Sequence, residues 1–239
     1  MAVPYIKDHI PSSTARNRRP GLILAPRFIT IHNTANEKST ARNERAWLVN
    51  PSNTATASYH IVIDDREAIE CIPTNEVSWH AGDGSGSNSG NRTSISIEIC
   101  ESGRYERTLE NASDLVAAML KERGWGVEAL RRHHDWSGKI CPRLMYDNGT
   151  WKGWYNFKDN VAAKLAVLNK QEETDMETRP AQPDPDPGEG GEQMLSAEDA
   201  NKIILFLSAA YMSTEVAEAR KEYNRLANEL RKASGQLPQ

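Results

Sequence analysis

Along the amino-terminal part of the chain, the spacing of apolar residues switches between a period of two and a period of 3.6, which predicts alternating strands and helices. Arg27-Phe28-Ile29-Thr30-Ile31-His32 reads as a strand ending on a histidine. Ala41 to Leu48 reads as a short helix that Pro51 stops. Ser58 to Asp64 and Ala68 to Ile72 read as strands joined by the turn Asp64-Asp65-Arg66-Glu67, and the glycine- and serine-rich run Asp83 to Asn91 is too polar for a core. Thr93 to Cys100 then alternates strictly, with Ile95, Ile97 and Ile99 on one face and Ser96 and Glu98 on the other. A helix from about Leu109 to Glu122 and the segment Val127 to Arg132 complete an α/β pattern.

The periodicity ends at Gln171-Glu172-Glu173-Thr174-Asp175. From there through Gly191 the chain is rich in proline, glycine and carboxylates and nearly free of apolar residues. Such a stretch buries too little surface to offset its chain entropy and reads as an extended, self-repelling spacer. Three parts follow: a domain over 1–170, a linker over 171–193 and a small all-α module over 194–239. The module opens on Ser196-Ala197-Glu198-Asp199, an N-cap with acidic residues in the first turn. Ile203, Ile204, Leu207 and Tyr211, then Val216, Tyr223, Leu226 and Leu230, predict two amphipathic helices. Two helices bury little alone, so they are expected to pair with a second copy or a partner surface.

Charge sharpens this division. The net value of -4 conceals 22 basic against 19 acidic side chains over 1–170, one against eight over 171–193, and six against six over 194–239. No basic stripe marks a nucleic-acid partner. No apolar run has membrane-spanning length, and the first residues lack the apolar stretch of a signal peptide, so accumulation in a cytoplasm is expected. Three cysteines at unrelated spacings argue against a disulfide framework. Cys71 and Cys100 lie in apolar runs and read as small buried hydrophobes.

Cys141 is different. It closes Arg132-His133-His134-Asp135-Trp136-Ser137-Gly138-Lys139-Ile140-Cys141-Pro142, and a further histidine, His32, ends the first strand. Imidazoles and one thiolate are the donors of a catalytic zinc site, which takes three protein ligands and leaves a fourth position for water. Taken alone, Glu98 reads as a solvated residue on a sheet face and Lys139 as a surface lysine. Trp125, Trp136, Trp151 and Trp154 read as packing residues. Tyr59 and His60 are neighbours in a strand, so only one of them readily faces a given cleft.

The succession T-I-H-N-T-A, S-Y-H-I-V-I-D, W-H-A-G, I-S-I-E-I and R-H-x-D-x-x-x-K-x-C-P resembles the zinc-dependent N-acetylmuramoyl-L-alanine amidases of the T7-lysozyme and peptidoglycan-recognition type, in particular endolysins of phages and prophages of Gram-positive spore-formers. The resemblance covers about residues 1 to 169. It implies a central mixed β-sheet flanked by helices and one Zn2+ held by His32, His133 and Cys141, with His133 preferred over His134. It also implies Glu98 as general base and Lys139 as the cation facing the oxyanion. Tyr59, matching a catalytic tyrosine of T7-type relatives, ranks below Glu98. Tyr59, His60, Trp79 and His80 are candidate substrate-binding residues, and Asp135 is a candidate for orienting a ligand histidine. The implied substrate is Gram-positive peptidoglycan, cut between the lactyl group of N-acetylmuramic acid and L-alanine, without membrane insertion. The enzyme is expected to stay in the host cytoplasm until released through a phage-made hole. A host autolysin of the same chemistry and a non-cutting recognition module are the alternatives. Recognition-only members commonly lack the cysteine, so Cys141 favours hydrolysis. The carboxy-terminal helices are expected to bind cell wall or to self-associate.

Overall fold

The computed structural model describes residues 3–178, 196–214 and 216–236. They fall into two compact units, 1–179 and 180–239. The first is built on a six-stranded sheet: β1 (Tyr5–Lys7), β2 (Phe28–Asn33), β3 (Ile61–Ile63), β4 (Ala68–Glu70), β5 (Ser94–Ile99) and β6 (Leu130–Arg132), in the order β1-β4-β3-β5-β2-β6. Neighbours are parallel except for the β3–β4 pair. The sheet is therefore mixed, as expected.

The antiparallel pair owes its turn to Asp64. One carboxylate oxygen accepts from the amides of Arg66 and Glu67 at 2.8 and 2.9 Å, and the other accepts from Ala41 N at 2.9 Å. An aspartate bonding the backbone two and three residues on is the local chemistry that favours a tight turn. Here it also holds the start of α1 (Ala41–Val49).

Ile29, Ile31, Ile95, Ile97 and Ile99 share one sheet face and are fully buried under α3 (Tyr105–Arg123) and α5 (Lys152–Thr178). On the other face, Val62 and Ile69 form a second, smaller core with Leu48, Tyr59, Cys71 and Cys100. Cys71 and Cys100 are buried and unbridged, as the apolar runs around them predict. The rest of that face is polar yet buried: Thr30, Ser94 and Ser96 are inaccessible, and Thr30 donates to Ser94 Oγ at 2.7 Å. Parallel strands covered on both faces are ordinarily apolar on both, so this polar, hydrogen-bonded layer departs from the rule. The alternation in β5 thus separates two buried environments rather than core from solvent.

Several boundaries move. The α3 helix starts at Tyr105, before the apolar repeat begins, and ends against Gly124. A four-residue helix, α2 (Gly90–Thr93), closes the glycine-rich loop. The linker's first residues are not extended: α5 continues to Thr178. Gln171 to Thr178 contains neither proline nor glycine, and glutamate is a good helix former. The remainder of the linker, 179–193, lies outside the described residues.

In the second unit, α6 (Ala197–Ser213) starts at Ser196, whose hydroxyl accepts from Asp199 N at 3.1 Å, and α7 (Ala217–Ala233) packs against it. Ala200, Ile204 and Ala227 are buried between the helices, while Ile203, predicted on the inner stripe, is exposed together with Leu205 and Phe206. Among the described residues, no helix is long and apolar enough to cross a membrane.

Candidate metal centre and active-site cleft

The β2 and β5 strands run parallel with His32 opposite Glu98, so both side chains leave the polar face at the same level. The third contributor arrives from α4 (His133–Ser137), which follows β6 directly and carries His133 at its first position. Gly138 ends that helix in the left-handed region at φ 75°, where a side chain would be strained. The chain then returns past Lys139 to Cys141.

As a result, donor atoms of His32, His133 and Cys141 lie within 4.8 Å of one another, all three residues being buried. Cys141 Sγ stands 3.8 Å from His32 Nδ1, and Glu98 Oε1 stands 3.9 Å from the same nitrogen. Two buried atoms here, His133 Nδ1 and Glu98 Oε2, have no hydrogen-bond partner among the described residues. Buried polar atoms are rarely left unpaired, and a convergent pair of them marks a place for something the protein binds.

The electrostatics agree. Burial holds His32 well below the usual imidazole range, helped by His80, His133 and the charge of Lys139. His133 is lowered to about 4 by burial and then by Lys139. Both rings are therefore neutral near pH 7, the form that donates to a metal. Burial and then Glu98 push the Cys141 thiol up to about 12. Burial, with Glu44 adding to it, raises Glu98 to about 8. A cation at the convergence point would relieve the last two shifts. The donor set of two imidazoles and a thiolate fits such an ion.

The expected site residues divide. Lys139 is exposed on the rim of a cleft of about 1100 Å³ whose walls also include the half-buried Glu98 and Trp79 and the buried Tyr59 and His80. The Tyr59 hydroxyl donates to the Glu44 backbone carbonyl at 2.8 Å and lies 3.1 Å from its carboxylate. His60 is not part of this cleft. It is inaccessible, with Nδ1 accepting from Ser96 N at 2.9 Å and Nε2 at 2.7 Å from the Glu76 carbonyl. His134 turns away from the donors onto Trp151. Asp135 does not orient a histidine: its carboxylate accepts from Arg132 N at 2.7 Å and Arg132 Nε at 3.0 Å, closing the first turn of α4. Trp151 and Trp154 are buried, as packing residues should be.

Three supports were not legible beforehand. His80 Nδ1 lies 3.1 Å from His32 Nε2, on the side of that ring away from Cys141, so it fixes the ring rather than facing solvent. Asn91 Oδ1 accepts from His80 N at 2.6 Å and Ala81 N at 2.8 Å, holding that segment in place. Asn33 Oδ1 accepts from Leu144 N at 3.1 Å, and Arg143 pairs with the buried Glu101, so the return from Cys141 is tied down twice. The available signal was an asparagine directly after a donor residue at a strand end.

An α/β domain with two neutral histidines and a cysteine around one point, at the base of an open cleft, has the makings of a metal-dependent enzyme. Residues 23–144, about half the chain, match the N-acetylmuramoyl-L-alanine amidase family, and the chain belongs to that family. It is 43% identical over 172 residues to the N-acetylmuramoyl-L-alanine amidase CwlA of Bacillus subtilis (strain 168), covering 70% of this chain and 60% of CwlA. It is 42% identical over 155 residues to XlyB of the same organism, covering 63% of this chain and 47% of XlyB. The chain thus spans about half to three fifths of the length of these relatives. Among solved structures, the catalytic domain of XlyA superimposes with a TM-score of 0.60 at 40% identity, covering 66% of this chain and 99% of that one. PlyL superimposes with a TM-score of 0.59 at 35% identity, covering 69% and 99%.

Proposed function

We propose that this protein is a zinc-dependent endolysin that hydrolyses the amide between N-acetylmuramic acid and L-alanine in Gram-positive peptidoglycan, with His32, His133 and Cys141 as the ligands. The convergence of these three donors within 4.8 Å carries the reading. When bound, zinc would supply Lewis acidity at the scissile carbonyl and lower the pKa of a water towards about 7. Glu98, 3.9 Å from His32 and with one oxygen unpaired, takes the proton from the attacking water and passes it to the leaving amine of L-alanine. Its raised pKa suits a group that must both accept and release a proton near neutrality. Lys139 extends its charge from the rim over the developing oxyanion. Tyr59 and Trp79 line the substrate cleft, and His80 braces His32.

The second unit, with Leu205 and Phe206 exposed, serves as the wall-binding or self-associating module. Release through a phage-made membrane hole would bring the enzyme to its substrate. Digestion of purified Gram-positive peptidoglycan, with and without a chelator, followed by mass spectrometry of the fragments, tests the chemistry. The expected result is new L-alanine amino termini with intact glycan chains, lost on chelation and restored by zinc. Binding without new termini would make this a recognition protein.

A further inference from the structure

Each ligand histidine gives one ring nitrogen to the convergence point and turns the other towards the same short stretch of chain, His80-Ala81. For His32 the inward atom is Nδ1, 3.8 Å from Cys141 Sγ and 3.9 Å from Glu98 Oε1, and the outward atom is Nε2, 3.1 Å from His80 Nδ1. For His133 the inward atom is the unpartnered Nδ1. Its Nε2 lies against Gly82, 3.4 Å from where a Cβ would stand, and the Ala81 carbonyl is the ring's backbone partner. An imidazole that gives one nitrogen to a metal carries its proton on the other, and the acceptor met there sets the ring's orientation. His80 and Ala81 supply those two acceptors.

Neither residue belongs to a strand or helix, so no ladder fixes them. Asn91 does. It is buried, and its Oδ1 accepts from both consecutive amides, His80 N at 2.6 Å and Ala81 N at 2.8 Å, while its Nδ2 donates to Gly84 O at 2.7 Å. Asn91 is the second residue of α2, which runs directly into β5, the strand that carries Glu98. The start of α2 is itself anchored, because Gly90 N donates to Asp83 Oδ2 at 2.6 Å and Gly90 O accepts from Ser94 Oγ at 2.7 Å. Ser94 Oγ also faces His80 Nε2 at 3.5 Å.

We propose that Asn91 is the positioning residue of the metal centre: one amide oxygen, by holding the amides of His80 and Ala81, orients both ligand histidines and ties them to the strand of Glu98. The proposal rests on the reading of His32, His133 and Cys141 as zinc ligands, and it adds a residue that hydrogen-bonds to none of the three.

The test compares the full-length wild type with Asn91→Leu, similar in size but without polar atoms, and Asn91→Asp, which keeps an acceptor for the two amides and loses the donor to Gly84 O. Zinc affinity is read by competition with a chelator of known affinity. The ring N–H protons of His32 and His133 are read by NMR of the metal-free protein, where each is seen only if a hydrogen bond holds it away from exchange with water. The wild type should show both. Asn91→Leu should lose both and bind zinc roughly 10–100-fold more weakly, the range for removing the outer partner of a ligand. Asn91→Asp should keep both signals and a zinc affinity near that of the wild type. Wild-type affinity in Asn91→Leu, loss of only one histidine's signal, or an equal fall in both variants overturns the proposal, the last because it would place the effect in the Gly84 bond that both lack. Urea unfolding checks that Asn91→Leu is folded. Where it is not, Asn91→Ser, whose oxygen sits one bond closer to the backbone and cannot reach both amides, takes its place under the same expectations. A wild type that binds no zinc would sink the ligand reading alone. Asn91 would then be judged by the ring N–H signals, whose absence from the wild type, or persistence in Asn91→Leu, overturns its role.

Discussion

His60 offers a quantitative test of how the structure sorts two neighbouring candidates. Its Nδ1 accepts from Ser96 N and its Nε2 faces the Glu76 carbonyl, so the neutral ring with the proton on Nε2 satisfies both partners. Protonating Nδ1 would set one donor against another in a site without water access. Burial is the main cause that lowers its pKa from 6.5 to about 4. The sign follows directly. Above pH 6.5 the ring is neutral whether folded or unfolded and contributes no pH dependence. Below that value the unfolded chain takes up a proton that the folded one refuses, so stability falls until the pH nears 4. Integrating the linkage gives a loss of about 2 kcal/mol between about pH 7 and 5, and about 3 kcal/mol by about pH 4. Against a total of roughly 5–15 kcal/mol for a domain, that is readily measured. Urea unfolding of metal-free wild type and His60→Gln at several pH values isolates it, because the other titrating groups are common to both proteins. The wild type should lose about 2 kcal/mol more than the variant over that interval. Parallel slopes would mean that His60 titrates as in water, which would return it to the cleft as a substrate-facing residue.

Further outcomes are expected. A Cβ on Gly90 would lie 2.6 Å from Trp136 Cδ2 and 2.7 Å from Ala81 Cβ, so Gly90→Ala should cost about 1–3 kcal/mol; an unchanged melting temperature would show that the indole yields freely. Glu98→Gln should keep zinc stoichiometry, checked by metal analysis, while lowering kcat by roughly 10²–10⁴-fold; turnover near the wild-type rate would make Glu98 a bystander. Zinc uptake at pH 7 should release protons, the thiol of Cys141 among them, because that group is held protonated when metal-free. Calorimetry in two buffers of different ionisation enthalpy should find about one proton fewer for Cys141→Ser, and equal release would remove Cys141 from the ligand set.

Much of this architecture could be read before folding, for identifiable reasons. The β2 and β5 strands announce themselves by period-two alternation, and the donors of α4 and Cys141 lie within one short motif. The β1 strand is only three residues long and carries too little pattern to be seen. The α5 helix runs into the acidic segment because composition alone does not distinguish a solvated helix end from a spacer. The role of His80 was hidden for a different reason. It meets His32 across 48 residues of sequence, through a loop whose path no local period specifies. Asp135 was misread because a carboxylate near a histidine in sequence found a nearer cation, Arg132, three residues away.

The site's precision is finally a property of the apolar core on the opposite side of the sheet. In the parallel pairing of β2 with β5, Ile29 faces Ile95 and Ile31 faces Ile97 in the same register that sets His32 opposite Glu98. A slip of one residue would carry those isoleucines into the polar cleft and the histidine and glutamate into the apolar layer under α3 and α5. Fully burying each isoleucine contributes roughly 1.5–3 kcal/mol, so such a slip is excluded by several times the energy that any one contact in the site could return. The distance between ligand and base is therefore enforced by residues that touch neither. Substitutions that keep the site's own side chains but loosen Ile31 or Ile97 act on the same register, and through it on the chemistry.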